Sequence, residues 1–323
     1  MTDSPRRRPT LYDVAEAAGV SKSLVSLAIR GQAGVGDATR EHILAVAGEL
    51  GYRSNPWARS LVHGRSGSVG VLVGDMRGYA VDVVHGIEAS ADRHGVGVVL
   101  VDGRGDRHLL ARGVERLGGF GVDGIIAVTG QIPAAAVRAS AAPVVIVGRP
   151  DEVPDSASQV SNDDRLGARM AVHHLLGLGH RRIAHVAGSG RVAARQRASS
   201  YEQTMTEMGL TPLILGSVAE LVGSDATAVF CATDRIAAEA MGAIIDSGRR
   251  VPEHLSVVGY DDTQLATWLR PALTTVEQPR HLLGERAYAA LAALQAGEPP
   301  RREVLPPSLI VRGSTAPVPE NAR

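Results

Sequence analysis

The chain has 323 residues and a mass of 33.7 kDa, which is long for one compact domain. Hydrophobic residues make up 44% and charged residues 21%, so extended disorder is excluded for most of the chain. The net charge is zero, yet residues 1–65 carry nine Lys or Arg against six Asp or Glu, which predicts an anionic partner for this part alone.

A single cysteine, Cys231, excludes an internal disulfide or a cysteine-built metal site. No apolar run approaches the ~18 residues that a membrane helix needs, and no apolar stretch follows the basic start. We therefore expect a cytoplasmic protein without a membrane partner, a metal ion or a cofactor.

Residues 10–52 read as three short helices with tight breaks. Thr10 and Asp13 have the spacing of a capping box, which marks the start of the first helix. Gly19 ends that helix because glycine reaches positive φ cheaply, and Ser21 can cap the second helix. This pattern is typical of a helix-turn-helix.

Residues 53–66 contain a helix start at Asn55-Pro56 and a stop at Gly64. The helix between them would have about two turns, and helices that short are marginal alone in water. The sequence therefore predicts a helix that forms against a partner, with a plain linker as the alternative.

From residue 67 onward, short β-rich runs alternate with helical stretches, which predicts parallel sheets covered by helices. So many strands favour two sheets with a cleft between them, and sites in such folds lie beyond the carboxyl ends of the strands. The predicted strands are 69–73, 97–101, 124–128, 144–147, 183–187, 228–231, 255–259 and 274–276. The predicted helices are 80–94, 107–118, 165–178, 195–208, 235–248 and 280–296.

Several colinear blocks resemble the LacI family of bacterial transcription regulators. The blocks are TLYDVAEAAGVSKSLVSLAIRG at 10–31, NPWARSLVHGRSGSVGVLV at 55–73, LGHRRIAHVAG at 178–188, RQRASSY at 195–201, FCATD at 230–234, VPEHLSVVGYDD at 251–262 and LTTVEQP at 273–279. The resemblance implies an α/β protein in which a small all-helical helix-turn-helix head precedes a two-subdomain core like the type I periplasmic binding proteins. It also implies a homodimer that binds double-stranded operator DNA.

The implied domains are a DNA-binding head (1–54), a hinge helix (55–65) and a core for effector binding and dimerisation (66–323). Within the core, the N-subdomain covers about 66–160 and 280–307, and the C-subdomain covers about 161–279 and 308–317. Three crossovers near 160, 279 and 307 would join them. The last residues, APVPENAR, have no heptads, so the tetramer-forming coiled coil of some relatives is not expected.

In a helix-turn-helix the second helix enters the major groove, and its first residues meet the base edges. Here these are Lys22, which can donate to guanine, and Ser23. Family phosphate contacts map onto Tyr12, Ser21, Ser26 and Thr39, which would fix the register without reading sequence.

Two positions of the reading helix depart from the family. Leu24 replaces the usual Thr, and Leu27 replaces an Arg that contacts guanine, so the operator sequence does not transfer from relatives. Arg30 replaces a frequent Asn and is expected to add a phosphate contact. Leu61 matches the hinge leucine that wedges into the minor groove. The full predicted DNA-binding set is Thr10, Tyr12, Ser21, Lys22, Ser23, Leu24, Ser26, Leu27, Arg30, Thr39, Asn55, Ala58 and Leu61.

Family effector contacts map onto the core. The predicted set is Tyr79, Arg149, Arg195, Thr233, Asp261 and Gln278. An arginine fork and a carboxylate suit the hydroxyls of a sugar, and an aromatic ring supplies a stacking face. The aromatic residues expected to remain near the cleft are Tyr79, Tyr201 and Trp268, the last more as a core or interface residue.

The effector region also departs from the family pattern. Thr233 replaces the usual Asn, Gly148 stands where an Asp is common, and the segment from 210 to 227 is shorter than in typical members. That segment normally supplies a strand, a helix and often an aromatic wall. The ligand class therefore stays open between a sugar, a sugar phosphate and a nucleoside-like molecule.

The function predicted from these residues is a repressor whose operator affinity is modulated by a small effector in the cleft. Induction and corepression both remain open, as does a DNA-binding regulator with an altered or lost effector response. A remote alternative is a dinucleotide-dependent enzyme, since Gly188, Gly190 and Ala193 fit G-x-G-x-x-A and Glu207 lies near the acidic position. We predict no enzymatic activity because no nucleophile–base constellation is evident.

Overall fold

The computed structural model describes residues 9–29, 33–52, 66–76, 78–188 and 190–318. The chain divides into two compact units, Met1–Ser66 and Gly67–Arg323. Among the described residues, no helix combines the length and apolar character needed to cross a bilayer.

In the described part of the first unit there are three short helices. These are α1 (Leu11–Ala18), α2 (Lys22–Ile29) and α3 (Asp37–Glu49). The predicted capping box is present, because Asp13 Oδ2 accepts from the backbone N (2.6 Å) and Oγ1 (2.7 Å) of Thr10. Gly19 ends α1 at φ 63°, the left-handed conformation that glycine adopts without strain.

A small apolar core holds the three helices together. Each helix contributes residues at helical spacing, and Val35 adds one from the loop before α3. The buried members are Val14, Ala15, Ala18, Val25, Ala28, Val35, Ile43 and Ala47. Arg40 Nη1 on α3 donates to the Ala28 carbonyl at 3.0 Å, which satisfies a carbonyl near the end of α2.

The second unit contains two six-stranded sheets, and we call the parts built around them the N-subdomain and the C-subdomain. The N-subdomain strands are β1 (Ser68–Val73), β2 (Gly97–Asp102), β3 (Ile125–Val128), β4 (Val144–Val147), β5 (Ser158–Asn162) and β11 (Arg302–Leu305). Their spatial order is β11-β5-β4-β3-β1-β2, and every pair is parallel. Helices α4 (Tyr79–Arg93), α5 (Arg107–Gly119), α6 (Ala134–Ala139) and α12 (Arg280–Gln295) pack with this sheet.

The C-subdomain repeats this plan. Its strands are β6 (Ile183–Val186), β7 (Leu213–Leu215), β8 (Ala228–Cys231), β9 (Ser256–Asp261), β10 (Thr274–Glu277) and β12 (Ser308–Ile310). Their order is β12-β10-β9-β8-β6-β7, with only β12 antiparallel to its neighbour. Its helices are α7 (Asp164–Gly177), α8 (Val192–Glu207), α9 (Val218–Val222), α10 (Asp234–Asp246) and α11 (Gln264–Trp268).

Apolar residues cover both faces of each sheet, so the strands read as nearly continuous hydrophobic runs. The predicted α/β class with two parallel sheets is therefore confirmed. The segment from 210 to 227, although short, retains a strand (β7) and a helix (α9).

The chain passes between the sheets three times, after β5, after β10 and between β11 and β12. These passages lie side by side, because β5 pairs with β11 and β10 pairs with β12. A backbone bond from Asp163 N to the Leu305 carbonyl (2.9 Å) links two of them. The three connecting segments therefore lie together beside the carboxyl ends of β5 and β10. We call them the core hinge, as distinct from the predicted hinge helix at 55–65.

Candidate DNA-reading helix and effector cleft

The first turn of α2 is an exposed polar surface. Ser21, Lys22 and Ser23 are all exposed, while Val25 and Ala28 on the opposite face are buried. Ser21 Oγ accepts from the backbone N of Leu24 at 3.2 Å, so this hydroxyl stabilises the start of the helix. The helix therefore presents its N-terminal end to solvent, as a major-groove reading helix must.

Lys22 and Tyr12 lie together on this surface although they belong to different helices. The Lys22 Nζ lies 4.2 Å from the centre of the Tyr12 ring, and Tyr12 is 66% exposed. A cation over an aromatic ring is held by the ring quadrupole. The contact pre-positions the lysine ammonium beside a second predicted DNA contact.

The other predicted DNA contacts are placed less openly. Leu24, Ser26, Leu27 and Thr39 are half-buried, and the Thr10 side chain is engaged with Asp13. Four predicted contacts lie outside the described residues: Arg30, Asn55, Ala58 and Leu61.

In the second unit, a buried ion pair lies at the carboxyl ends of the C-subdomain strands. Arg197 of α8 donates from Nε to Asp164 Oδ1 at 2.8 Å, and its guanidinium carbon lies 3.5 Å from the centre of the Tyr260 ring. Arg197 Nη1 donates to the Ala232 carbonyl and lies 3.7 Å from Asp261 Oδ1. No hydrogen bond joins Arg197 Nη2 to another described residue.

The N-subdomain contributes two groups to the same network. Arg149 follows β4, and its Nε lies 3.4 Å from Asp164 Oδ2 while its Nη2 donates to the Asn162 carbonyl at 2.8 Å. The Asn162 amide donates to the Tyr260 hydroxyl at 2.7 Å. Asn162 Oδ1 is buried and has no hydrogen-bond partner among the described residues. Residues of both subdomains therefore meet at one charged floor, and a buried acceptor there is available to a donor.

Asp261 ends β9, Gln278 directly follows the neighbouring strand β10, and the two side chains contact each other. Gln278 Nε2 donates to Asp261 Oδ1 at 2.6 Å. Burial raises the pKa of Asp261, while Arg197 and the Gln278 amide oppose that shift. A carboxylate in this setting gains from each further donor, such as the hydroxyl of a ligand.

Tyr79 begins α4 and is half-buried. Burial is the main cause that raises the pKa of its hydroxyl, and the nearby charges of Asp164 and Asp261 raise it further. The charges of two floor carboxylates therefore act on Tyr79, and its hydroxyl stays protonated and able to donate.

Thr233 and Asp234 act mainly on the structure of the cleft wall. Thr233 caps α10, since its Oγ1 accepts from the backbone N of Ile236 at 3.3 Å. Asp234 is buried and accepts from the backbone N of Thr263 (2.7 Å) and from Thr275 Oγ1 (2.5 Å). Burial and then the charge of Asp261 raise the pKa of Asp234 to about 7.

Arg195 lies at an exposed rim. Its Nη2 lies 3.2 Å from Asp151 Oδ1, and Arg107 Nη1 lies 3.4 Å from the other oxygen of that carboxylate. The structure thus places five predicted effector contacts around the floor (Tyr79, Arg149, Thr233, Asp261 and Gln278) and places Arg195 at the mouth.

Sequence reasoning missed Arg197, Asp164, Tyr260 and Asn162. A signal for Arg197 was present, because Arg197, Ser200, Tyr201, Thr204 and Met205 share the spacing of one buried helical face. Placing Tyr201 near the cleft was wrong: its side chain is fully buried in the C-subdomain, where its hydroxyl donates to the Ile183 carbonyl at 2.7 Å. Trp268 is 65% exposed and is therefore not a core residue.

Within the described residues, no group of three or more His, Cys, Asp or Glu side chains is placed to hold a metal ion. Gly188 follows β6 and α8 begins at Val192, which is the strand–turn–helix setting of a dinucleotide motif. Glu207, however, is the last residue of α8 rather than the end of the next strand. The acidic position of that motif is therefore not reproduced.

Comparison with known proteins identifies both units. The family described as bacterial regulatory proteins, lacI family, matches residues 10–55, and a periplasmic binding protein-like domain matches residues 172–315. The HTH-type transcriptional regulator CelR of Thermobifida fusca is 35% identical over 96% of this chain and 99% of its own. The chain belongs to the LacI family.

Other members of the LacI family agree. The lactose operon repressor of Escherichia coli is 33% identical over 95% of this chain and 90% of its own. A crystal structure of the lac repressor dimer bound to operator and an anti-inducer superimposes with a TM-score of 0.86 at 31% identity, covering 96% of this chain and all of that one. A CelR–cellobiose complex gives 0.70 at 32% identity, covering 95% and 100%. The predicted family is confirmed, and this LacI-family protein is a DNA-binding transcriptional regulator.

Proposed function

We propose that this LacI-family protein is a homodimeric repressor that acts in the cytoplasm, and that a neutral, sugar-like effector bound in the core cleft sets its operator affinity. The observation that carries the proposal is the network of Arg197, Asp164 and Asp261, with Tyr79 and Gln278 around it. These residues offer donors, acceptors and a ring close together, which is the chemistry that binds hydroxyl groups.

The charge balance of the floor supports a neutral ligand. The guanidinium groups of Arg149 and Arg197 both contact Asp164, and Asp261 adds a second carboxylate beside Arg197. A phosphate would need positive charge that is not already neutralised. A sugar, by contrast, exchanges hydrogen bonds with such a network without adding charge.

Relatives agree with this class of ligand. One solved structure holds CelR with cellobiose, and a regulator from Enterococcus faecium, 26% identical with a TM-score of 0.69, was solved with bound ribose. An effector acts by binding one arrangement of the protein better than the other, so its binding must change operator affinity. Regulation rather than catalysis is the role we propose for the whole chain.

In the head, we propose that Lys22 and Ser23 meet the base edges, while Tyr12, Ser21, Ser26 and Thr39 contact phosphates. Thr10, Leu24, Leu27, Arg30 and the hinge residues Asn55, Ala58 and Leu61 complete the proposed interface. In the core, Tyr79, Arg149, Asp261 and Gln278 are proposed to contact the effector, with Thr233 and Arg195 beside them.

A regulator without an effector response is the second candidate. It is favoured by the same ion pairs, since Asp164 contacts both floor arginines and Arg149 reaches the floor from the opposite subdomain.

One experiment separates the two candidates. The full-length protein is titrated onto DNA from the region upstream of its own gene by fluorescence anisotropy at fixed salt. Neutral sugars, their phosphates and nucleosides are then added in turn. Release or tightening by a neutral sugar is expected. Binding that no compound changes would favour the unswitched regulator.

A further inference from the structure

Helices α4 and α12 of the N-subdomain touch backbone to backbone. A side chain at Gly86 would place its Cβ 2.1 Å from the His281 carbonyl oxygen, and one at Gly284 would lie 2.1 Å from the Val83 carbonyl oxygen. Only glycine permits this approach. The two helices therefore form a closely packed pair, and their first turns lie beside the core hinge.

Arg280 is the first residue of α12 and bridges this pair to the C-subdomain. Its Nε donates to Asp82 Oδ2 of α4 at 2.8 Å. Its Nη1 donates to the Asp261 carbonyl, and its Nη2 donates to the Asp262 carbonyl at 2.8 Å. All three guanidinium nitrogens are used, and the side chain is only 12% exposed.

The two carbonyls belong to a strained turn at the end of β9. Asp261 has φ 112° and Asp262 has φ 49°, conformations that residues other than glycine rarely adopt. Such a turn persists only when its surroundings hold it. Arg312 Nη1 holds Asp262 Oδ1 at 2.6 Å. Arg280 is thus the link by which this turn is held from the N-subdomain.

We propose that Arg280 is a positioning residue that aims the Asp261 carboxylate into the cleft and fixes the relative placement of the two core subdomains. Any movement of the strained turn is passed through the guanidinium to Asp82, one turn after Tyr79 on α4. Lysine cannot replace it, because one ammonium cannot serve the carboxylate and both carbonyls in a fork geometry. This role of Arg280 belongs to the core itself and does not depend on which effector binds.

Distance measurement between the subdomains tests this directly in the full-length protein. Exposed Glu115 on α5 and Glu202 on α8 are replaced by cysteine and spin-labelled, while native Cys231 is fully buried and stays unlabelled. Dipolar spectroscopy then gives the distribution of distances across the cleft. Arg280→Gln is expected to broaden the distribution and shift it toward longer distances. Asp82→Asn should give a smaller broadening.

The control is Arg286→Gln, which removes an exposed ion pair with Glu303 (2.6 Å) from the same helix. It should leave the distribution unchanged. Arg280→Lys should lie between wild type and Arg280→Gln, because it retains charge without the fork. Thermal unfolding of each labelled protein shows whether the fold is intact, and a midpoint close to wild type is expected.

The proposal is overturned if Arg280→Gln keeps the wild-type distribution. It is also overturned if Arg286→Gln broadens the distribution equally. A further contradicting result is broadening only in variants that have lost the near-UV circular dichroism signal of a folded core. A purely structural arginine would lower the thermal midpoint without a matched change in the cleft distances of the folded protein.

Discussion

Arg197 and Asp164 form an ion pair of 2.8 Å in which the two side chains are only 7% and 4% exposed. The Arg197 guanidinium stacks on the Tyr260 ring and lies 3.7 Å from Asp261 Oδ1, so the pair organises the floor of the cleft. Because both charges are removed from water, each depends on the other. The pair is therefore both a structural element and the chemical basis of the proposed effector site.

Replacing Arg197 by methionine should destabilise the core, by at most about 3–5 kcal/mol, because the buried Asp164 carboxylate would lose its 2.8 Å partner and keep only Arg149 at 3.4 Å. Urea unfolding followed by circular dichroism measures this. The matched control is Arg195→Met on the same helix, which loses only a solvent-exposed ion pair and should change the stability far less. Equal losses in the two variants would contradict the role assigned to Arg197.

Lys22→Ala should weaken binding to the specific operator by about 1–3 kcal/mol, the usual worth of a good base contact. Binding to scrambled DNA should change far less, since the change removes one contact among many with the backbone. Anisotropy titrations on both DNAs at one salt concentration give the ratio of operator affinity to scrambled-DNA affinity. Because Lys22 is exposed, the melting temperature should not change, and an equal loss on both DNAs would assign Lys22 to a phosphate instead.

Leu61→Ser should reduce operator affinity while leaving the fold intact, because an apolar wedge in the minor groove is lost. A gel-shift titration measures the affinity, and circular dichroism of the free protein serves as the control. Unchanged affinity would refute the wedge.

His185 should make the core less stable in acid. It is buried between Tyr201 and Phe230, and burial lowers the pKa of its ring to about 4. The pKa of His185 in the folded protein lies below its unfolded value of about 6.5. The contribution of the neutral ring to the free energy of unfolding is therefore complete above pH ~6.5 and is lost as the pH falls toward 4. The loss is about 1.4 kcal/mol for each pH unit in this window.

Buried carboxyl groups such as Asp234, whose pKa is raised to about 7, act in the opposite direction over the same pH range. The effect of His185 is therefore read from the difference between wild type and His185→Phe, which keeps the stacked ring and removes the titration. Unfolding free energies measured from pH 7 to pH 4 should show that the stability of the variant relative to wild type increases as the pH falls. Parallel curves would contradict the assignment.

Most of the architecture could be predicted because buried parallel strands are continuous apolar runs, as in β3 and β4. Strands β5 and β11 were missed, since SQVSN and REVL are polar or alternating, and β11 is an edge strand. The short β7, β12, α6, α9 and α11 carry too few residues for a periodic signal.

The site was harder to predict than the fold because it depends on the direction in which each side chain points as well as on residue type. Arg195 and Arg197 lie two positions apart on α8, and such residues point to nearly opposite sides of a helix. One reaches the rim and the other the floor. The left-handed turn at Asp261 and Asp262 contains no glycine that would predict it from the sequence. The bonds from Arg280 to this turn could therefore be found only from the structure.

In the proposed mechanism, a neutral ligand on Asp261 controls operator binding. The most direct measurement compares the sugar concentration that changes operator binding by wild type and by Asp261→Asn, which keeps the shape and removes the charge. We expect equal operator affinity without sugar and a requirement for about 10–100-fold more sugar in the variant, the worth of a hydrogen bond to a charged group. The same sugar concentration for both proteins, or no response in either, would contradict the claim.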